Sequence, residues 1–440
     1  MEYLRTSTVI CVLASSFLAF GCSRPTFDET GATDGRAAEG ANPPACDEDN
    51  GGITLPNGFC ALVVANSVGS ARHLTVRENG DVYVALRQPE EGGSIAALRD
   101  SDGDGRADQV AYFGGGSGTG IHVRGEFLYF GADTYIERYR LDRGQLVPGG
   151  EPESVVGGFP DQRGHRAKPF EFDESGHLYV NVGAPSNACQ DPPRTLGVAG
   201  LDPCPILEKH AGVWRFDADR VGQNYGGDGY RYATGIRNGV ANAWNPFTNK
   251  LYVAQHGRDQ LSAFWPALYT DSLNAELPSE ELFEVDDGDD FGWPYCYYDH
   301  IQEKKLLGPE YGGDGSEVGR CAGMEDPILA FPGHWAPNDL IFYDGDQFPE
   351  WYQEGAFIAF HGSWNRAPLA QRGYNVVFAP FSDGKPAGGY EVFADGFAGT
   401  DPIEAPGDAR HRPMGLAIGP DGSLYISDSV TGKIWRVMYR

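Results

Sequence analysis

An all-β fold, a six-bladed β-propeller, is predicted from three observations: a strand phrase that recurs along the chain, a turn signal ahead of each copy, and a composition rich in Gly and Pro. The chain has 440 residues with 61 Gly and 30 Pro, and these residues cut a chain into short elements. The phrase is a turn, usually with Gly, followed by an apolar strand containing Tyr or Phe. It occurs at Asn79-Gly-Asp-Val-Tyr-Val84, Gly125-Glu-Phe-Leu-Tyr-Phe130, Ser175-Gly-His-Leu-Tyr-Val180, Asn249-Lys-Leu-Tyr-Val253, Gly355-Ala-Phe-Ile-Ala-Phe360 and Asp421-Gly-Ser-Leu-Tyr-Ile426. Second strands follow some copies, as in Ile136-Glu-Arg-Tyr-Arg140 and Lys433-Ile-Trp-Arg-Val437. Regular repetition of this kind points to a propeller, one copy per blade, rather than a pair of β-sandwiches.

The elements follow in chain order. Residues 1–22 predict export: Arg5 gives a weak positive start, and Val9 to Phe20 are apolar but too short to span a bilayer. Leu18-Ala-Phe-Gly-Cys22 resembles a bacterial lipoprotein box, with Cys22 as the lipidated residue. Phe20 is bulkier than the residue usual there, which leaves plain secretion open, and Ser23 fits outer-membrane retention. The expected location is the periplasm or the outer membrane of a bacterium, with membrane contact only through a lipid on Cys22. Residues 23–50 read as a flexible tether. Residues 51–440 are the expected propeller. The interval from the fourth phrase to the fifth is about twice the shortest one, which predicts an insertion around 263–330.

Charge and cysteine usage narrow the function. A formal net charge of −28 argues against nucleic acid, whose phosphates need patches of Lys and Arg, and against anionic lipid surfaces. Beyond Cys11 and Cys22 there remain Cys46, Cys60, Cys189, Cys204, Cys296 and Cys321. Their pairing is open from sequence; nearest-neighbour pairing would close three short loops, which an oxidising compartment would preserve. With no CxxC pair a zinc site fits poorly, and with no CxxCH a covalent c-type haem is not expected.

From about Leu55 to Arg440 a series of ordered phrases resembles one family. They are NGFCALVVANSVGSARHLTV, GHRAKPFEFDESGHLYVNVG, YATGIRNGVANAWNPFTNKLYVAQHGRD, DFGWPYCYYD, FHGSWNR and ARHRPMGLAIGPDGSLYISD. The family is that of the soluble quinoprotein glucose/sorbosone dehydrogenases, and the branch is the sorbosone dehydrogenase-like and pyranose dehydrogenase group. The resemblance implies a six-bladed propeller that uses pyrroloquinoline quinone and calcium to oxidise an aldose or related sugar aldehyde. Electrons would pass to an external acceptor, since the chain has no haem of its own.

Site residues carry over by their place in these phrases. His165 matches the general base that takes the proton of the anomeric hydroxyl, a task suited to imidazole because it titrates near neutral pH. Taken alone, a loop histidine is more often bonded to a neighbouring carbonyl. Arg237 and Asn238 match the pair set against the quinone oxygens, where a permanent cation stabilises developing negative charge. Gly257 and Arg258 match a turn whose carbonyls hold calcium, an ion that accepts hard oxygen ligands; here the turn is His256-Gly-Arg258. Arg410 and Arg412 match paired arginines on the cofactor carboxylates, since alternate residues of an extended segment share a side. Asn365 or Arg366 stands where another cationic contact is expected, Arg366 being chosen on charge, and Trp364 is placed to stack on the quinone or sugar or to pack between blades. His334 and His361 are possible polar groups facing the channel.

Two departures bear on the substrate. The acidic partner beside the catalytic histidine is Gly164 here, and the one after the next strand is Ala184. A glutamine contact near the first blades is not evident, although Thr119 to His122 occupy that region. Asp100-Ser-Asp-Gly-Asp-Gly-Arg-Ala-Asp108 resembles a calcium loop but lacks the closing Glu, Ala111 standing at that position; an acidic hairpin tip is an equal reading. Two other functions share the architecture: a calcium-dependent lactonase-like hydrolase, and a non-catalytic cell-surface binding propeller.

Overall fold

The computed structural model describes residues 44–440, so the expected signal peptide, Cys22 and most of the tether lie outside the described residues. Six sheets form the six blades of a propeller, five of them four-stranded and one five-stranded. Blade 1 is Ala71–Val76, Val82–Glu90, Gly93–Arg99 and Gln109–Phe113. Blade 2 is Gly118–Arg124, Phe127–Ala132, Tyr135–Arg140 and Glu153–Gly157, joined at its edge by Gln223–Asn224. Blade 3 is Phe170–Phe172, His177–Val182, Gly212–Asp217 and Tyr230–Thr234, and blade 4 is Ala241–Asn245, Lys250–Gln255, Glu280–Val285 and Leu329–Phe331. Blade 5 is Pro337–Phe342, Ala356–Phe360, Asn375–Ala379 and Glu391–Ala394. Blade 6 takes Pro413–Ile418, Leu424–Asp428 and Ile434–Tyr439 from the C-terminus, and its outermost strand, Phe59–Ala65, from the N-terminal side. Every recurring phrase of the sequence falls on the second strand of a blade.

Blade 6 closes the ring. Phe59 pairs with Tyr439 and Ala61 with Val437, antiparallel, so two distant segments share one sheet and the two ends of the ring are joined. The disulfide Cys46–Cys60 ties the approach to this strand, and Cys189–Cys204 and Cys296–Cys321 close the other two short loops.

The strands are buried on both faces because each blade packs against two neighbours. Val82, Val84 and Leu86 enter the apolar cluster shared with blade 6, while Tyr83 and Ala85 enter the one shared with blade 2. That is the two-residue alternation of a pleated strand, with both faces apolar. A comparable cluster fills every interface between neighbouring blades. Each fully buried Val, Leu, Ile or Phe contributes about 1.5–3 kcal/mol, so the ring is held by side chains between sheets.

The span 263–330 is not one insertion. It contains Glu280–Val285, the third strand of blade 4, whose buried Glu280 and Glu281 mask the strand pattern in the sequence. The added material is two short helices, Leu261–Phe264 and Asp271–Glu276, and a hairpin of Cys296–Asp299 with Lys304–Leu307. Among the described residues no helix is long and apolar enough to cross a membrane.

Candidate active site

In an up-and-down blade, the loop between the second and third strands emerges at the same end as the loop leading to the next blade. This places His165 (between blades 2 and 3), Arg237 and Asn238 (between blades 3 and 4), His256 to Asp259 (within blade 4), His361 to Arg366 (within blade 5) and Arg412 (between blades 5 and 6) at one end of the channel.

His165 is held from both of its halves. Its backbone has a φ of +50°, a conformation uncommon outside glycine. Gln162, 9% exposed, secures it: Nε2 lies within donating distance of the carbonyls of Gly164 (2.8 Å), His165 (2.9 Å) and Gly183 (2.9 Å). The ring is fixed by Nδ1 and the Ala184 carbonyl, 2.6 Å apart. A carbonyl can only accept, so Nδ1 carries the proton and Nε2 keeps its lone pair. Burial, and then the Arg237 charge, pull the imidazole down to about 3. The expectation of a base titrating near neutrality is therefore corrected: this histidine is neutral throughout the ordinary pH range.

Gly183 is the point where the site closes. A Cβ there would lie 2.7 Å from the His165 Cβ and 3.0 Å from Asn238 Oδ1, so only glycine lets these two side chains converge. Arg237, 2% exposed, is anchored beside them. Its Nη1 donates to the Gly257 carbonyl (2.6 Å), and its Nη2 to Asn187 Oδ1 (3.0 Å) and Asp259 Oδ2 (2.9 Å). Asp259 also pairs with Arg194 at 2.8 Å. Burial pushes the Asp259 carboxyl up, but Arg237, His334 and Arg194 outweigh it and hold the group well below the carboxylate range.

The other expected residues divide. Arg412 is half-buried, donates to the carbonyls of His361 (2.8 Å) and Gly362 (2.6 Å), and lies 5.3 Å from the centre of the Tyr374 ring. His361 contacts Ser429 Oγ at 2.7 Å and is held well below the imidazole range by burial, Arg412 and Arg72. Trp364 is 51% exposed at the rim, with the Arg194 guanidinium 6.0 Å from its ring. His334 is buried against the carbonyls of Asn274 and Leu277 and serves the loop.

Arg366 is not brought to the channel, and Arg410 is not fixed beside Arg412 by strand alternation. Arg366, 1% exposed, donates to the carbonyls of Ala275 and Ala370 and pairs with Glu276 at 2.7 Å. Its guanidinium is consumed in joining two loops. Arg410 is exposed and lies beside Gly399. The alternation that grouped it with Arg412 holds only for extended backbone, whereas Arg410 sits in a bend and the strand begins at Pro413. Sequence reasoning missed Gln162, Asn187, Asp259 and Arg72. Arg72 stands on the innermost strand of blade 1, donates from Nε to Thr119 Oγ1 (3.2 Å), and is lowered to about 9 by burial and then Arg87.

These residues fit a planar, polyanionic quinone. Arg237 Nε is a buried donor without a partner, and Arg72 and Arg412 supply positive charge on the channel wall for carboxylates. The turn at Gly257 and Arg258 does not fit calcium as it stands. The Gly257 carbonyl is already bonded to the Arg237 guanidinium, its N–H is held by Glu280 Oε2 at 2.7 Å, and the Arg258 side chain is buried against Glu310. A carbonyl facing a guanidinium is a poor place for a divalent cation.

Fold and site together define the class: a six-bladed propeller with a histidine–arginine–asparagine site among the loops at one end of its channel. The chain belongs to the TrAA12-like family, whose model matches residues 53–440, and the resemblance read from the phrases holds. It is 26% identical over 210 residues to the aldose sugar dehydrogenase YliI of Escherichia coli, covering 48% of this chain and 44% of the relative. It is 26% identical over 190 residues to the pyrroloquinoline quinone-dependent pyranose dehydrogenase of Coprinopsis cinerea, covering 37% of this chain and 25% of that protein. The chain thus spans less than half the length of either relative. The solved holo form of the quinone domain of the Coprinopsis cinerea pyranose dehydrogenase superposes with a TM-score of 0.69 at 18% identity, over 91% of this chain and 99% of that one. At that identity the likeness is one of fold.

Proposed function

We propose that the chain is a quinoprotein sugar dehydrogenase, oxidising an aldose or related sugar aldehyde with pyrroloquinoline quinone and passing electrons to an external acceptor. The observation that supports this most directly is the convergence of His165 and Asn238 on Gly183, beside the buried Arg237. Pyrroloquinoline quinone, when bound, supplies the acceptor for two electrons and the C1 hydrogen. His165 Nε2 accepts the proton of the anomeric hydroxyl; Nδ1, bonded to Ala184, keeps the ring in the tautomer that can do so. Arg237 and Asn238 bind the quinone oxygens and favour charge that develops there. Arg412 and Arg72 bind the carboxylates, and Trp364 offers a flat apolar face to the sugar at the rim.

We place the protein outside the cytoplasm, exported by residues 1–22, with a lipid on Cys22 as its only membrane contact; the three disulfides suit that compartment. A lactonase-like hydrolase would need a central metal held by carboxylates and Asn, which fits poorly beside the Arg237 and Arg412 guanidiniums. Among the described residues the one group with metal-binding spacing is Asp100, Asp102 and Asp104, in the loop between the third and fourth strands of blade 1, at the opposite end from His165.

The test is reconstitution of the purified chain with the quinone, followed by dye reduction with a panel of aldoses and aldehyde sugars. Dye reduction with at least one sugar is expected. A quinone-loaded protein that reduces dye with none of them would overturn the proposal.

A further inference from the structure

The far half of the central channel is a second cavity, walled by the innermost strands of all six blades. It opens at the end opposite His165, which is marked by Pro246 and Asp344 in loops between the first and second strands of their blades. It measures about 360 Å³, a volume within the range of small-molecule sites. Three carboxyls stand on its wall: Glu171 and Asp339 on the innermost strands of blades 3 and 5, and the exposed Asp344 at the mouth. Among the described residues no Lys or Arg lines it, so its charge is negative.

Two imidazoles share this wall and add lone pairs to it. His73, 7% exposed, has its Nε2 2.7 Å from the Asn338 carbonyl, so Nε2 carries the proton and Nδ1 keeps the lone pair. Nδ1 has no hydrogen-bond partner and is not sealed beneath other atoms, which leaves it open to the cavity. His122 is half-buried and stands edge-on to Phe172, their ring centres 5.4 Å apart. Burial pulls His73 down to about 3, and burial and then Arg124 pull His122 down to about 4. Both rings are therefore neutral and offer acceptors without charge. Asp339 accepts the main-chain N–H groups of Leu340 (2.9 Å) and Leu416 (2.7 Å), whereas Glu171 is reached only by the Trp244 main chain. Burial, and at Glu171 the Asp339 charge, hold both carboxyls well above the carboxylate range. Arg72 bears on Asp339, and no cation bears on Glu171. A cation entering the cavity favours the ionised form of both.

A bare metal ion fits this wall poorly, because its acceptor atoms are too far apart; the one group close enough is Asp100, Asp102 and Asp104. An extended strand rises about 3.3 Å per residue, so the step from Asp339 to Phe342 alone covers about 10 Å. Asp344 therefore sits at the other end of the cavity from Asp339. Half-buried Val76, Ile341 and Ile418 supply an apolar stretch of the wall. Spaced anionic ends with an apolar stretch match a chain of methylenes that carries ammonium groups. We propose that the far half of the channel binds a linear organic polyamine, with ammonium groups paired to Glu171 and Asp339 at depth and to Asp344 at the mouth. His73 Nδ1 accepts from the deep ammonium. The site stands apart from the oxidation chemistry, and its occupant touches strands of all six blades, so binding stabilises the closed ring.

The test is calorimetric titration of the full chain with spermidine in about 0.15 M NaCl, where loose attraction to exposed carboxylates is screened. Saturable binding of one spermidine per chain is expected, with a rise in melting temperature. It is expected to weaken about tenfold in Glu171→Gln and in Asp344→Asn, the loss of about one ion pair each. Asp344 is exposed, so its variant folds whatever becomes of the deeper one. Butylamine, with one ammonium, is expected to bind at least about tenfold more weakly than spermidine, and His165→Ala to bind spermidine as the parent does. The proposal is overturned if spermidine does not bind, or if neither substitution weakens it, which would place it on the acidic surface. It is equally overturned if butylamine binds as tightly, or if magnesium chloride at the same concentration displaces spermidine, which would make the cavity a site for a hydrated metal ion.

Discussion

The Nδ1 of His165 and the main-chain carbonyl of Ala184 are 2.6 Å apart, and this bond decides which ring nitrogen is free to act. It also unites two readings of the residue, since a histidine bonded to a neighbouring carbonyl through one nitrogen is a base through the other. His165→Ala removes the base and leaves Arg237, Asn238 and Arg412 in place. Sugar oxidation is expected to fall by about 10²–10⁴-fold, while the quinone is still retained, as read from its absorbance after gel filtration. Undiminished turnover would remove His165 from the chemistry.

The acidity of this imidazole predicts the shape of the pH profile. Burial and the Arg237 charge lower His165 from 6.5 to about 3, with Asp259 pulling in the opposite direction and His256 adding to the drop. Protonation inactivates a base, and a lowered value delays protonation as pH falls. The acid limb of kcat/KM is therefore expected well below 6.5, and an NMR titration should find His165 neutral, with its proton on Nδ1, at pH 6. A limb at the ordinary imidazole value would show that the buried environment is lost when substrate and quinone bind.

Gln162 is a positioning residue: its amide reaches the carbonyls of Gly164, His165 and Gly183, which fixes both sides of the point where His165 meets Asn238. Gln162→Ala leaves buried carbonyls short of a donor, at a cost of about 1–3 kcal/mol. A misplacement of about 1 Å can cost about 10²-fold in rate, so kcat is expected to drop with little change in KM. A parallel drop in stability with kcat intact would assign Gln162 to the fold alone.

What the sequence disclosed follows from how local each feature is. The recurring phrase marks the second strand of every blade because a turn followed by an apolar strand is encoded within a few residues. His165 and the Arg237-Asn238 pair were readable from their phrases, and blade topology then carries their loops to one end. Arg366 was misread because its partners, Ala275 and Glu276, are 91 and 90 residues away in the chain, and nothing nearby reveals that its charge is spent. For Arg410 alternation lapses, because the backbone bends there before the strand begins. Arg72 had no local signal beyond being a cation on an innermost strand of an acidic chain. Its place beside His361 and Arg412 exists only once blade 6 has closed against blade 1.

The disulfide Cys189–Cys204 closes a separation of 15 residues in the loop that carries Asn187, and Asn187 Oδ1 holds both Arg237 Nη2 (3.0 Å) and the Asp259 N–H (2.8 Å). Removing a cross-link of that length costs about 3 kcal/mol in chain entropy. Cys189→Ala with Cys204→Ala is expected to lower the denaturation midpoint accordingly and to weaken quinone retention, because the anchor of Arg237 loosens. Unchanged retention would show that Asp259 and Gly257 suffice to hold the guanidinium.

The ion pair of Arg237 and Asp259 separates the stability of the site from its function. Both side chains are buried, 2.9 Å apart, so breaking the pair leaves an uncompensated charge, at a cost of about 3–5 kcal/mol. Asp259→Asn is therefore expected to be strongly destabilising in urea denaturation. Replacing both partners, Arg237→Met with Asp259→Leu, removes the charges together and is expected to be less destabilising than the sum of the single changes. The two variants differ in what remains for the quinone. Asp259→Asn keeps the Arg237 charge, so the folded fraction is expected to retain the quinone, whereas the double replacement loses the contact and should not. If both variants retain it equally, Arg237 serves the fold and the quinone oxygens are held by other groups.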